Sequence, residues 1–163
     1  MRMLPFLQTA PRWSALAMAA AVLSACGGGS DGDHKATATL AVLETTDLHF
    51  NVRSYDYFKL ADDPSYGLER TASLIRKARS DFANTLLVDN GDTIQGTALA
   101  DYEAQVAPIA CEQQLSMYKA MGVLKFDAGT LGNHEFNYGL PFLNQVLGGG
   151  LQVDGVDASK KCA

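Results

Sequence analysis

The sequence has few cysteines and no excess of positive charge. Three cysteines are present among 163 residues, and the composition excludes collagen and coiled coil. Acidic residues outnumber basic ones by 18 to 13, for a formal net charge of −5 at pH 7. A basic surface that tracks a phosphate backbone is therefore not expected, and no nucleic-acid polymer is predicted as a partner. The hydrophobic fraction of 47% is enough for a core and excludes long-range disorder.

The first 25 residues have the composition of an export signal. Arg2 and Arg12 precede an apolar run over residues 14–23, which is too short to cross a bilayer because that needs about 20 residues. This segment holds two of the 13 basic residues and no acidic one, so the net charge without it falls to −7. Residues 1–25 are predicted to be a signal peptide and residues 26–38, rich in glycine and polar residues, a flexible tether.

The tetrad that ends in Cys26 resembles the lipobox of bacterial lipoproteins. This resemblance implies that Cys26 is lipid-modified and that the protein lies at the periplasmic face of the outer membrane, with the membrane as a partner through the anchor. The alternative is an ordinary cleaved signal and a soluble periplasmic protein. Whether Cys111 and Cys162 pair stays open, because one sequence does not show the separation of their Cα atoms.

Strand and helix patterns alternate along the rest of the chain. Apolar runs predict strands at 40–43 and 86–88, with a weaker candidate at 126–130. Apolar residues spaced by three and four predict a helix from Leu68 to Phe82. Pro108 is expected to open a second helix that ends at Gly122, and a third helix is predicted over 140–147. Residues 50–66 are interpreted as a long loop. This order predicts an α/β fold with mostly parallel strand pairing.

Three polar clusters follow the predicted strands. They contain Asp47 and His49, then Asp92, then Asn133 and His134. Because ligands bind at the carboxyl edge of open α/β sheets, these residues are expected to converge there. Carboxylate, imidazole and amide oxygen form a mixed ligand set that suits Mn, Fe, Zn, Co or Mg.

The same clusters resemble the first half of the calcineurin-like metallophosphoesterase signature. The strings LETTDLH, LVDNGDTIQG, GTLGNHEFNYGL and YGLERTASLIRKAR are similar to the 2′,3′-cyclic-nucleotide 2′-phosphodiesterase/3′-nucleotidase branch of the 5′-nucleotidase family. The resemblance covers about residues 39–147. It implies a two-sheet sandwich flanked by helices, in α/β/β/α layers, that acts on a small nucleotide substrate in nucleotide scavenging.

The resemblance assigns a role to each of these residues. Two divalent metal ions are implied: Asp47 and His49 bind the first, Asp92 bridges both, and Asn133 binds the second. His134 is the catalytic imidazole that stabilises charge on the phosphoryl group or protonates the leaving oxygen. Asn137 orients His134 where 5′-nucleotidases carry aspartate, which favours the cyclic-phosphodiesterase branch.

Further metal ligands of the family are expected from a second half. The three histidines are His34, His49 and His134, so the Gly-His-x-His motif of the family is not in this sequence. Residues 39–163 are therefore expected to be the N-terminal, incomplete part of a domain whose C-terminal half is a required partner. Alone, the chain is expected to be inactive and to leave one face of the 86–88 strand uncovered.

Two other functions stay open. One is a 5′-nucleotidase or a general metallophosphoesterase. The other is a non-catalytic lipoprotein in which a half-domain binds a partner or a single metal ion. The aromatic cluster at residues 55–58 is interpreted as loop packing, with contact to the substrate as the alternative.

Overall fold

A computed structural model of the chain describes residues 37–154, 156 and 157. The predicted signal peptide, Cys26, most of the tether and Cys162 lie outside the described residues. The strands are β1 (Ala41–Thr45), β2 (Tyr55–Asp56), β3 (Ala61–Asp62), β4 (Thr85–Asp89) and β5 (Ala128–Gly129). The helices are α1 (Leu68–Asp81), α2 (Ala98–Asp101), α3 (Ser116–Leu124) and α4 (Leu140–Val146). A π-helical turn (Tyr102–Val106) continues α2, and a 3₁₀ turn (His134–Phe136) follows β5.

A three-stranded parallel sheet organises the described residues. Its order is β1-β4-β5, so the central strand β4 pairs with both neighbours. The β1–β4 register runs from Ala41 opposite Thr85 to Thr45 opposite Asp89. All three strands therefore end at one edge, as the parallel α/β prediction requires. The α/β class is confirmed.

One face of this sheet is covered and the other is not. Leu87 in β4 is buried, whereas its sequence neighbour Leu86 and the paired Val42 in β1 are exposed. Successive residues of a strand point to opposite faces, so this alternation marks an uncovered apolar face. The expectation of an uncovered face on β4 is confirmed for the described residues.

Helix α1 forms where the spacing predicted it. Leu68, Ala72 and Ile75 are buried on one side of the helix. At its C-terminal end, the Arg79 guanidinium donates hydrogen bonds to the carbonyl oxygens of Leu124 and Lys125, at 2.5 and 2.7 Å. Because these carbonyls lie at the end of α3, Arg79 ties the two helices together and satisfies acceptors that have no partner within α3.

Helix α3 corrects the prediction of a helix from Pro108 to Gly122. The helix begins at Ser116, whose N–H donates to the Glu103 carboxylate at 2.9 Å. The Glu103 carboxylate, on the π-helical turn, thus accepts from a backbone N–H group in the first turn of α3 that has no partner within the helix. Local residue spacing does not reveal this contact. The helix passes through Gly122 and ends at Leu124, where Lys125 takes the left-handed conformation usually given to glycine.

The other boundaries differ less from the predictions. The loop predicted for 50–66 contains the short antiparallel hairpin β2–β3. The 126–130 strand is shortened to β5, and the segment α2 with its π-helical turn was not predicted. Helix α4 forms with Pro141 in its first turn, as predicted.

The core of the described unit joins the helices to the loops after the strands. It consists of Phe50, Leu68, Ile94, Ala100, Leu115, Met117 and Leu143. Phe50 directly follows His49, and Ile94 lies two residues after Asp92. The loops that carry the predicted site residues are therefore anchored in the core.

Among residues 37–154, 156 and 157, the structure contains no helix with the length and apolarity needed to cross a membrane.

Truncation of the core at α3 tests this packing. Met117 is fully buried, so Met117→Ala is expected to lower the free energy of unfolding by about 2–5 kcal/mol. Val123 on the same helix is 81% exposed, so Val123→Ala is expected to change it by less than about 0.5 kcal/mol. Urea unfolding of both variants gives the comparison, and equal losses would contradict the placement of α3.

Candidate metal centre

The loops after β1 and β4 stay hydrogen-bonded to each other beyond the strands. The N–H groups of Asp47 and His49 donate to the carbonyl oxygens of Gly91 and Asp92, at 3.1 and 2.9 Å. The Phe50 N–H donates to Thr93 in the same way, at 2.9 Å. This continued pairing sets the first two polar clusters side by side, as the shared sheet edge predicted.

Three predicted site residues meet at this edge. Ligand atoms of His49, Asp92 and His134 all lie within 4.8 Å of one another. The two imidazole rings meet edge to face with centroids 4.9 Å apart. A carboxylate oxygen of Asp47 lies 3.6 Å from Nε2 of His49, and the Asp47 side chain is 58% exposed. The expected convergence of these four residues is therefore found.

The two histidines have different hydrogen-bond partners at Nδ1. In His49, Nδ1 lies 3.0 Å from the carbonyl oxygen of Gln95, so it carries the proton and leaves the Nε2 lone pair available. In His134, Nδ1 lies 2.9 Å from the amide nitrogen of Asn137, which donates to it. The neutral His134 ring therefore carries its proton on Nε2. The two imidazoles therefore present different groups at Nε2, a lone pair in His49 and an N–H in His134.

The backbone of the site is held in an unusual conformation. Asp47, His49, Phe50 and Asp92 all have φ between 45° and 58°, a region that residues other than glycine seldom adopt. Such residues cost of order 1 kcal/mol each and persist only where the surroundings fix them. Here the paired loops and the buried Phe50 side chain do so.

The buried carboxylate of Glu135 connects two of the site loops. It accepts hydrogen bonds from the N–H groups of Asp92, Thr93, Ile94 and Gly132, at 2.5 to 3.2 Å. Glu135 is 1% exposed. Four backbone donors thus compensate the charge and fix the loop after β4 against the loop after β5. The Asp92 carboxylate returns one bond by accepting from the His134 N–H at 2.8 Å.

Asp89 plays a similar part at the end of β4. Its carboxylate accepts hydrogen bonds from the hydroxyls of Thr45 and Thr93, at 2.6 and 2.5 Å, and from the N–H of Gly91. Asp89 is 2% exposed, so it is a structural carboxylate that joins β1 to β4.

The sequence assigned no role to Glu135 or Asp89. Both residues lie inside the motifs quoted above. A carboxylate at a strand end or in a turn can be a metal ligand or an acceptor for backbone N–H groups, and the sequence does not distinguish the two.

Two glycines allow the loops to approach closely. A Cβ on Gly132 would lie 2.3 Å from a carboxylate oxygen of Asp92, and one on Gly91 would lie 2.4 Å from the nitrogen of Gly132. Gly91 also has a φ of 90°. Neither position accommodates a side chain, so both glycines are needed for the contact between the loops.

Two predicted site residues remain, Asn133 and Cys26. Asn133 begins the 3₁₀ turn next to His134 and is exposed. The predicted lipidation site, Cys26, lies outside the described residues. Cys111 is disulfide-bonded, and the other two cysteines also lie outside them.

A cavity of about 360 Å³ lies behind the two buried carboxylates. Its lining includes Asp89, Glu135 and Tyr118 of α3. Burial, with the negative charges of Glu135 and Asp89, raises the pKa of Tyr118 to about 12. The phenol therefore stays neutral at physiological pH.

The site residues fit divalent cations. Histidine nitrogen and carboxylate oxygen are ligands that Mn, Fe, Zn and Co accept, and the second nitrogen of His49 is fixed by a backbone carbonyl, as is usual for a metal-bound histidine. A parallel α/β sheet with such a set at its carboxyl edge defines the class as a candidate metalloenzyme.

Comparisons with known proteins narrow this class. No protein-family model matches the chain. The chain is 52% identical over 114 residues to a 2′,3′-cyclic-nucleotide 2′-phosphodiesterase/3′-nucleotidase of Yersinia enterocolitica, a match that covers 70% of this chain and 17% of the relative. The chain thus spans less than a fifth of that relative's length.

Two solved structures are also similar. The calcineurin-like phosphoesterase YfkN of Bacillus subtilis matches with a TM-score of 0.64 and 47% identity, over 67% of this chain and 34% of that one. A putative 5′-nucleotidase of Staphylococcus aureus matches with a TM-score of 0.53 and 31% identity, over 66% and 20%. Over the matched residues, the chain is similar to calcineurin-like phosphoesterases and nucleotidases.

Glu135→Gln tests the loop connection. The amide keeps one acceptor but turns a donor towards backbone N–H groups, so we expect a loss of about 1–3 kcal/mol in unfolding free energy. Amide hydrogen exchange at Asp92, Thr93 and Gly132 is expected to accelerate about tenfold or more. Glu44→Gln, at an exposed position of β1, is the control and is expected to leave both measurements unchanged. Unaltered exchange in the Glu135 variant would contradict the role given to this carboxylate.

Proposed function

We propose that this chain supplies metal-binding residues to a metal-dependent phosphoesterase that hydrolyses 2′,3′-cyclic nucleotides and 3′-nucleotides. The observation that carries the proposal is the convergence of His49, Asp92 and His134 at the carboxyl edge of the sheet. The names of the similar proteins support the reaction class. The higher identity to the cyclic-nucleotide enzyme, 52%, than to the 5′-nucleotidase structure, 31%, supports the choice of substrate.

Four residues of this chain would hold two divalent cations. Asp47 and His49 would hold one, Asp92 would be shared by both, and Asn133 would hold the other. When bound, the cations supply Lewis-acid stabilisation of charge on a phosphoryl group and a lowered pKa for water. The Asp47 and Asn133 side chains are both exposed, so they are accessible to a cation from solvent.

His134 would act on the substrate itself. Its Nε2 proton, fixed by the Asn137 hydrogen bond at Nδ1, is available to the leaving oxygen or to a phosphoryl oxygen. The backbone N–H of His134 donates to the Asp92 carboxylate at 2.8 Å, so the residue is positioned through its backbone as well.

Asn137 bears on the choice of branch. A neutral amide orients His134 but does not compensate an imidazolium charge as a carboxylate does. This favours the cyclic-phosphodiesterase and 3′-nucleotidase activity over the 5′-nucleotidase alternative. We also propose that Cys26 carries a lipid anchor and that the protein lies in the periplasm. This part of the proposal depends only on the sequence of residues 1–26.

Metal binding by the chain itself is the first test. Titration with Mn²⁺, followed by electron paramagnetic resonance of the free ion, is expected to show binding that Asp92→Asn weakens at least tenfold. His134→Ala is expected to retain most of the affinity because its ring is assigned to the substrate. Asp81→Asn, at the end of α1, is the control. Equal Mn²⁺ affinity of wild type and Asp92→Asn would contradict the proposal.

Activity is measured on the chain and on the product that includes any in-frame continuation of its coding sequence. The longer product is expected to hydrolyse 2′,3′-cyclic AMP and 3′-AMP faster than 5′-AMP, and His134→Ala is expected to lower kcat by about 10²–10⁴. Faster turnover of 5′-AMP would favour the 5′-nucleotidase alternative. Full activity of the histidine variant would contradict the role of His134.

A further inference from the structure

The basic side chains of the described residues are gathered on one face. Eight lysines and arginines lie in the part of the chain that the structure describes. Four of them lie in α1 and one in α3, and Arg53 and Lys125 adjoin these helices. Of the 16 acidic residues described, only Glu69 and Asp81 lie in α1 or α3. The net negative charge of the sequence therefore conceals a locally basic surface. We call α1, α3, Arg53 and Lys125 together the α1–α3 face.

A groove joins the two helices into one surface. Its volume is about 390 Å³, and its lining includes Ala72 and Arg76 of α1 and Val123 and Leu124 of α3. The hydrogen bonds from Arg79 to the carbonyl oxygens at the end of α3 hold the helices side by side. Because Arg76 and Val123 line the same groove, the exposed side chains of both helices belong to one continuous surface.

Two apolar side chains project from this face. Leu74 in α1 is 68% exposed, and Val123 in α3 is 81% exposed. Arg70 and Lys77 lie one helical turn before and after Leu74, and Lys119 lies one turn before Val123. Apolar side chains flanked by cations suit a membrane interface, because the apolar groups enter the headgroup region while the cations reach the lipid phosphates.

Most of the positive charge on the α1–α3 face is not neutralised within it. Glu69 and Asp81 each pair with one cation, at 3.7 and 2.7 Å between oxygen and nitrogen. Five of the seven basic residues are left without an acidic partner on the face. Arg76 and Lys119 are exposed and form no ion pair with any described residue. These cations are available to anionic groups outside the chain.

We propose that the α1–α3 face binds the surface of an anionic phospholipid bilayer. The cations contact the lipid phosphates, and Leu74 and Val123 enter the headgroup region. The exposed apolar residues are aliphatic, whereas proteins that bind single-stranded nucleic acids stack the bases on aromatic side chains, so a bilayer is favoured over such a strand. None of the proposed metal ligands lies on this face, so the inference does not depend on the proposed reaction.

The proposed anchor would supply the same partner. Residues 27–36, between Cys26 and the described residues, span at most about 35 Å when fully extended. A lipid on Cys26 would therefore keep the described residues close to a bilayer, where a weak affinity of the α1–α3 face is sufficient for contact because the effective concentration is high. The face is a separate contact, since it belongs to the folded part of the chain.

Vesicle binding by the full, unacylated chain tests the face without the anchor. The chain is expected to cosediment with phosphatidylcholine vesicles that contain about 30% phosphatidylglycerol, at least about tenfold more tightly than with phosphatidylcholine alone. About 0.5 M NaCl is expected to remove this difference, because salt screens exposed charges. Residues 1–36 are present in every variant, so their own contribution cancels when variants are compared.

Charge reversal locates the contact. Arg76→Glu and Lys119→Glu are each expected to weaken binding to the anionic vesicles at least about fivefold. Lys59→Glu is the matched control, because it changes the net charge equally, is 72% exposed and lies outside the face. It is expected to weaken binding less than about twofold. All three variants are expected to keep the urea midpoint of the wild type, which shows that they fold.

Four outcomes would overturn the inference. They are equal binding to neutral and anionic vesicles, equal losses in Lys59→Glu and Arg76→Glu, self-association without vesicles that Arg76→Glu abolishes, and binding to duplex DNA as tight as binding to vesicles. The third outcome would assign the face to a second copy of the chain, and the fourth to a soluble polyanion.

Discussion

The Glu135 carboxylate is the contact on which the metal centre depends. It is buried and binds four backbone N–H groups, three from the loop after β4 and one from the loop after β5. The proposed metal ligands Asp47, His49, Asp92 and Asn133 lie in loops, so their positions depend on how the loops are held. A charged acceptor gives shorter and stronger bonds than a neutral one, which suits a role of fixing strained backbone. Asp89 provides the same kind of support between β1 and β4.

The loops that result have a costly backbone conformation, which their surroundings maintain. Left-handed backbone at Asp47, His49 and Asp92, and glycine contacts too close for any Cβ, persist only because the buried Phe50 and Ile94 anchor the loops in the core. The hydrogen bonds at Nδ1 then give His49 and His134 different tautomers. Two chemically identical side chains, with ring centroids 4.9 Å apart, thereby differ in the nitrogen that carries the proton.

Much of the fold was predictable from local pattern. The helix α1 follows from the spacing of Leu68, Ala72 and Ile75, and β4 follows from its apolar run, because burial of one face imposes a period that the sequence shows. The predicted start of helix α3 was wrong because the actual start depends on Glu103. The segment 50–66, predicted as a loop, contains a hairpin whose strands are only two residues long. Contacts between distant residues leave no local pattern.

The sequence by itself determined which residues meet at the site. Asp47, His49, Asp92 and His134 follow strands, and parallel strands end at one edge, so order along the chain was enough to bring them together. The tertiary structure alone decided how each is held. Three of the four N–H groups that bind Glu135 lie 41 to 43 residues away, and the Nδ1 partner of His49 lies 46 residues away. Burial, charge compensation and the tautomer of His49 therefore arise only when the chain is folded.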